Sequence, residues 1–158
     1  MFRTMRRFKQ QVSEEECIRI LKEQWRGALA VLGDEGYPYG IPIDYYYDEA
    51  NGEIYFHGAG EGHKIDAIRK CGKASFCVWN DGFRREGEWA LNITSVIAFG
   101  HIRIVEDRAR TVEIVRKIAF KYFPDAESAE KEVRKAGERV TCLEMKVEHM
   151  TGKLVNES

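Results

Sequence analysis

The chain has 158 residues, 44% of them hydrophobic and 32% charged, with a formal net charge of −1. That length supports one domain, residues 1–158, with a proper core. The near-neutral balance excludes a global basic field for nucleic acid or an anionic membrane surface, and no apolar run is long enough to span a bilayer.

Residues 1–12 read as a basic extended arm without the apolar stretch of a secretory signal. Ser13, three residues before Glu16, predicts a capping box. The helix it opens should run to about Trp25 and bury Cys17, Ile18, Leu21 and Trp25. Ala28 to Leu32 reads as a short strand, Gly33 to Gly36 as a turn, and Tyr37 to Asp48 as one long strand. Pro38 and Pro42 cannot donate to a ladder, so that strand belongs at an edge or is bulged. Alternation sets Ile41, Ile43, Tyr45 and Tyr47 on one face, with Pro42, Asp44 and Tyr46 on the other. Packing, rather than chemistry, is the better explanation of the three tyrosines. Asp48 to Gly52 is a hairpin turn into a strand that ends at His57.

Gly58, Ala59, Gly60, Glu61 and Gly62 cannot continue that strand, and their small size permits close approach to a ligand. His63 and Lys64 open a helix to Cys71, with Gly72 just past its end. A helix start led by glycine presents free backbone N–H groups and the positive end of the helix dipole. Such a place suits an anion, phosphate above all. Lys64 adds a full positive charge and His63 a further donor. Ala74, Phe76 and Val78 then alternate as a strand.

Trp79 to Trp89 is a polar surface loop, and solvation best explains its Arg84 and Arg85. Ala90 to Val105 is a long strand with Val96, Ala98, Ile102 and Ile104 inward and a bulge or close approach at Gly100. Residues 107–137 form a helical insert. Its first helix, Asp107 to Phe123, carries a stripe of Val112, Val115, Ala119 and Tyr122 and is stopped by Pro124. Its second, Ala126 to Ala136, is charged, with a solvated face. Arg139 to Met150 is the last strand, with Thr141, Leu143, Met145 and Val147 opposite Cys142, Glu144, Lys146 and Glu148, before a turn at Thr151, Gly152 and Lys153. So many antiparallel hairpins predict a small antiparallel barrel with helical additions.

Cys17, Cys71, Cys77 and Cys142 are scattered without a CxxC pair, which favours reduced thiols and a cytoplasmic location. The four histidines lack tight ligand spacing, so no metal is expected. No GxSxG elbow supports acyl transfer.

The segments MRRFKQ, PYGIPIDYYYD, IYFHGAGEGHKIDAIRK, KASFCV, TSVIAFGHI and EHMTGK, in that order, resemble the pyridoxamine 5′-phosphate oxidase-like flavoproteins. Within that family they are most similar to the branch that includes the 5-nitroimidazole antibiotic-resistance proteins. The resemblance implies a mainly β fold, a six-stranded antiparallel Greek-key FMN-binding split barrel with peripheral helices. It implies a homodimer with FMN at the interface and the FMN phosphate at Gly62, His63 and Lys64. Ile41, Pro42, Ile43 and Asp44 would line one edge of the ring. Phe56, His57, Gly58 and Ala59 would lie along the flavin, with Ser95 and Val96 close by. Trp79 and Trp89 would add aromatic surface from the second subunit. His57 is the candidate catalytic residue, because a histidine can pass a proton near neutral pH. The implied activity is reduction of a small organic acceptor such as a nitroimidazole or other nitroaromatic. The alternatives are pyridoxamine 5′-phosphate oxidation, for which Arg84 and Arg85 are the only obvious extra phosphate-binding residues, and a flavin- or haem-binding protein without turnover.

Overall fold

A computed structural model describes residues 1–137 and 139–156. Seven strands, β1 (Arg26–Leu32), β2 (Pro38–Asp44), β3 (Tyr46–Asp48), β4 (Glu53–Gly58), β5 (Lys73–Trp79), β6 (Asn92–Ile104) and β7 (Thr141–Asn156), form one sheet. Their order is β2-β1-β5-β6-β7-β4-β3, and every neighbouring pair is antiparallel. Around it pack α1 (Glu14–Glu23), α2 (His63–Lys70), α3 (Arg108–Tyr122) and α4 (Ala126–Ala136).

β2 and β3 stand at opposite ends of that order, yet only Tyr45 separates them along the chain. The sheet must therefore curl until its ends meet, giving a barrel with a seam at Tyr45. β2 and β4 come into contact across this seam. The seam also corrects the expected strand count. The run from Tyr37 to Asp48 changes neighbour at Tyr45, pairing with β1 before it and with β4 after it, so six strands become seven.

Alternation fills the barrel. Leu29, Val31, Phe56, Phe76, Val78, Val96, Ala98, Leu143 and Met145 all point inside. Ile43, Tyr45 and Tyr47 keep the expected common face. The Tyr45 ring lies edge-on to Phe76 at 4.7 Å, and its hydroxyl donates to the Leu21 carbonyl at 2.7 Å. β2 is an edge strand, as its two prolines require. The ladder register shifts between Phe99 and Gly100. A Cβ at Gly100 would lie 2.0 Å from the Lys146 carbonyl oxygen, so only glycine permits this bulge.

Three expectations are corrected. First, Ser13 caps α1 through the Glu16 N–H at 3.2 Å, but the helix ends at Glu23 and buries Cys17, Ile20 and Leu21. Ile18 is half-buried, and Trp25, beyond the last turn, is 59% exposed. Second, α3 buries Thr111, Ile114, Val115, Ile118 and Ala119, leaving Val112 and Tyr122 at the margins of the stripe. Third, no turn follows Met150. β7 continues through Thr151, Gly152 and Lys153, which pair with Ile97, Val96 and Ser95. Gly152 serves packing instead: a Cβ there would lie 2.4 Å from Cys17 Sγ and 2.6 Å from Val12.

The outer face of β4 and β7 carries a second core. Tyr55 and Cys142 pack beneath Ile114, Val115 and Ile118 of α3 and Ala129 and Val133 of α4. Cys142 and Glu144, on the face opposite Leu143 and Met145, are therefore buried as well. Glu144 accepts from Arg103 Nη2 at 2.6 Å and from Arg110 Nη2 at 3.0 Å. Arg110 also donates to the Tyr55 hydroxyl at 2.7 Å, which donates in turn to Glu53 at 2.7 Å. Lys117 donates to Asp48 at 2.7 Å. Each of these ionised groups has an oppositely charged partner, as a low-dielectric setting demands.

Candidate functional site

β4 alternates Ile54 and Phe56 into the barrel with Tyr55 and His57 outward. His57 therefore leaves the sheet on the side covered by the helical insert. There it lines a pocket of about 230 Å³ with Asp44, Tyr122, Phe123 and Glu132. The walls are apolar, from Val115, Ile118 and Ala119 of α3 and Ala136 of α4. Asp44 comes from the end of β2 and accepts from Arg26 Nε at 2.7 Å.

His57 is exposed at the mouth of this pocket, and the partial desolvation of its imidazole by the pocket walls holds it below the ordinary histidine range. Asp44 pulls it up, Lys64 pushes it further down, and Glu132 pulls it up. At neutral pH the ring is thus mainly uncharged, with one donor and one acceptor nitrogen.

The loop after β4 leads to α2, whose N-cap is Gly62 at φ 113°. A φ of that sign favours glycine. No side chain caps this end, and a Cβ at Gly62 would meet nothing within 4 Å. The first backbone N–H groups of α2 thus lack a capping side chain beside open space. Lys64 folds back toward β4: a Cβ at Gly58 would lie 3.2 Å from its Nζ. Burial lowers the Lys64 pKa. Among the described residues this half-buried ammonium has no ion-pair partner. His63 is used differently. Its Nε2 accepts from the Asp34 N–H at 3.1 Å, and its ring lies 4.1 Å from Tyr39. The side chain ties α2 to the turn before β2, and the residue's backbone N–H remains part of the helix start.

The structure thus brings Asp44 and His57 to one pocket, with Lys64 close enough to influence the imidazole. Ile43 and Phe56 are core residues, 9% and 0% exposed, so only their backbones are available to a ligand. Ile41 and Pro42 line a separate open groove of about 640 Å³ with Trp25, Arg26 and Trp79. Trp79 therefore shares a groove with β2 residues within one chain. Trp89, 87% exposed, lines neither cavity; Arg84 sits 6.0 Å over its ring and donates to its carbonyl at 3.1 Å. Ala59 is exposed in the glycine loop. Val96 is a barrel-core residue at 1% exposure. Ser95 sits opposite Trp79 in the ladder, and within one chain neither it nor Val96 lines the His57 pocket.

Tyr122, Phe123 and Glu132 were not anticipated as site residues. Tyr122 reads as helix packing and Glu132 as one charge among many, and nothing local marks either. A groove of about 540 Å³ between α1, β3 and α3 is rich in cations. Lys22, Arg116 and Lys117 there are each paired with a carboxylate, and Lys121, which also lines it, is held by backbone carbonyls. Among the described residues, no group of three or more His, Cys, Asp or Glu could hold a metal ion. None of their helices is long and apolar enough to cross a membrane.

Comparison with known proteins agrees with this architecture. The sequence profile described as pyridoxamine 5′-phosphate oxidase matches residues 13–154. No curated protein sequence matches the chain. Among solved structures, a candidate 5-nitroimidazole antibiotic resistance protein from Bacteroides thetaiotaomicron is 20% identical, with 92% of this chain and 87% of that one covered at a TM-score of 0.78. A conserved hypothetical protein from Mycobacterium tuberculosis is 18% identical over 95% of this chain and 90% of that one, with a TM-score of 0.78. An FAD-binding protein from Mycobacterium smegmatis is 19% identical over 94% of this chain and 99% of that one, with a TM-score of 0.67. At these identities the likeness establishes a common fold.

Proposed function

The chain belongs to the pyridoxamine 5′-phosphate oxidase family, and on that premise we propose that it is an FMN-binding oxidoreductase that reduces a small organic acceptor. One observation carries the cofactor reading: among the described residues the half-buried Lys64 ammonium has no ion-pair partner, and it stands at the start of a helix that no side chain caps. A phosphate dianion would satisfy both through charge-assisted hydrogen bonds. Among the described residues no other half-buried cation is so placed at an uncapped helix start.

The flavin, when bound, supplies the redox chemistry. The chain's own residues bind and orient it. Gly62, His63 and Lys64 would hold the phosphate through backbone N–H groups and one ammonium. Among the described residues β2 has β1 as its only ladder neighbour, so its free edge, Ile41 to Asp44, can offer backbone groups to a flat ring. His57, mainly neutral, can hold a proton at one imidazole nitrogen for an acceptor in its pocket. At about 230 Å³ that pocket suits a single substituted ring. A nitroimidazole or similar nitroaromatic fits this description, and the relative from Bacteroides thetaiotaomicron is named for such compounds.

The same reading includes a homodimer. Across β1, β5 and β6 the outer face is built of small residues, Ala28, Ala30, Ser75 and Cys77, beside the exposed Ile97 and Phe99. Such a flat, weakly polar face suits a second copy. Trp79 and Trp89 would then lend aromatic surface to the partner's flavin.

The test is the visible spectrum of the freshly purified protein, with the released cofactor identified by chromatography and the mass in solution by light scattering. Release of FMN from a dimer is expected. A protein that is colourless and refuses added FMN would sink the proposal. Release of FAD would favour a second reading, for which the name of the Mycobacterium smegmatis relative speaks.

A further inference from the structure

Tyr45, where the sheet's two ends meet, belongs to neither β2 nor β3. Its peptide groups are served instead by two consecutive side chains at the end of α3. The Tyr45 N–H donates to the Tyr122 hydroxyl oxygen at 2.9 Å. The Tyr122 hydroxyl shares its proton between the Tyr45 carbonyl, at 2.9 Å, and the Trp25 carbonyl. Lys121 Nζ donates to the Tyr45 carbonyl at 3.0 Å and to the Gln24 carbonyl at 2.7 Å. The ammonium also sits 3.8 Å from the centre of the Tyr45 ring. Among the described residues it has no carboxylate partner within ion-pair distance.

This is an expensive way to cover a barrel. Burial opposes ionisation of this ammonium, and the Asp44 carboxylate offsets that only in part; an aliphatic residue would cover the same surface at lower cost. What Lys121 and Tyr122 add is direction. They fix the seam peptide and tie it to the segment entering β1. The residue before that peptide is Asp44, which lines the His57 pocket, and Tyr122 lines the same pocket.

We propose that Lys121 and Tyr122 are positioning residues. They hold the Tyr45 peptide so that Asp44 and the end of β2 keep their place against His57 and the flavin ring. The flavin half of this inference rests on the reading above; the Asp44–His57 half does not. His57 has Asp44, Glu132 and Lys64 as the charged groups acting on it. Of these only Asp44 is adjacent to the clamp, so loosening the clamp should weaken the pull that raises the imidazole.

The experiment compares the wild-type chain with Tyr122→Phe and Lys121→Met. Three quantities are measured: FMN affinity of the apoprotein by fluorescence titration, the His57 titration by NMR, and the thermal midpoint. In each folded variant, FMN binding should weaken on the order of tenfold, and the His57 pKa should fall. A merely structural role would lower the midpoint and move neither of the other two. Wild-type FMN affinity and an unchanged His57 titration in both folded variants would overturn the inference. Should one variant not fold, the other decides. If the wild-type chain binds no FMN, the flavin reading fails, and the His57 titration alone decides the positioning role.

Discussion

The barrel interior and the layer beneath α3 and α4 are held together by different physics. Inside the barrel, the side chains are almost wholly apolar and come from alternate positions of every long strand. Beneath the insert, apolar packing is interleaved with Arg110, Glu144, Tyr55, Glu53, Asp48 and Lys117, each matched by a partner. The first region depends on shape and area removed from water. The second depends on pairs that must all be present, because a buried charge that loses its partner costs more than the pair contributes. The candidate site lies with the second region, at its edge, where Lys64 is left unmatched.

The sharpest way to probe this difference is to damage each region in its own currency. Phe76→Ala removes a fully buried ring that touches Tyr45 and Phe56. It should cost about 3–5 kcal/mol, read as a lower urea midpoint. Arg110→Met should cost about 2–3 kcal/mol, because Glu144, 4% exposed, keeps only Arg103. Adding Glu144→Leu should recover much of that loss. No second apolar change would be expected to rescue Phe76→Ala in this way, so failure of the double variant would break the comparison.

Lys64→Ala should leave the urea midpoint close to wild type, since among the described residues the ammonium has no ion-pair partner to lose. It should weaken FMN binding by about 1.5–3 kcal/mol. Unchanged flavin affinity would remove the phosphate assignment. The smallest effect is acid sensitivity. Burial opposes ionisation of Asp48 and Glu144. Lys117, Asn51 and Tyr55 for the one, and Arg110 and Arg103 for the other, overcome it and lower both pKa values. Groups depressed in the folded state bind more protons when unfolded, so their stabilisation is present above about pH 4–5 and lost as pH falls below it. Urea midpoints at pH 5 and pH 3 should show the loss, and the Arg110→Met/Glu144→Leu protein should show less of it.

The barrel was largely legible because its signals are local. Ala74, Phe76 and Val78 alternate within five residues, Gly100 sits where a bulge is needed, and Pro38 and Pro42 mark an edge. The seam was not legible. Tyr45 has the same strand character as its neighbours, and a change of partner without a turn leaves no local trace. Gly152 misled for the opposite reason: it has turn chemistry but is required by Cys17 and Val12. In the candidate site, the helix start at Gly62 and the lysine beside it could be read from residue type. Glu132 and Tyr122 could not, because only the docking of the insert brings them near His57. The second region is opaque for the same reason: its bonds join residues as far apart as Arg110 and Glu144, or Asp48 and Lys117.

The seam has a consequence for association as well. A curled sheet that stops short of closure leaves two rims, and unpaired rims recruit stray strands and seed aggregates. Here one rim, β3, is only three residues long, too short to template a foreign strand. The other, β2, is broken by two prolines that withhold donors at alternate turns of the pleat. The free edge proposed to serve a flat ligand is thus the same edge that discourages fibrils, and Pro42→Val would be expected to make the chain more prone to aggregate.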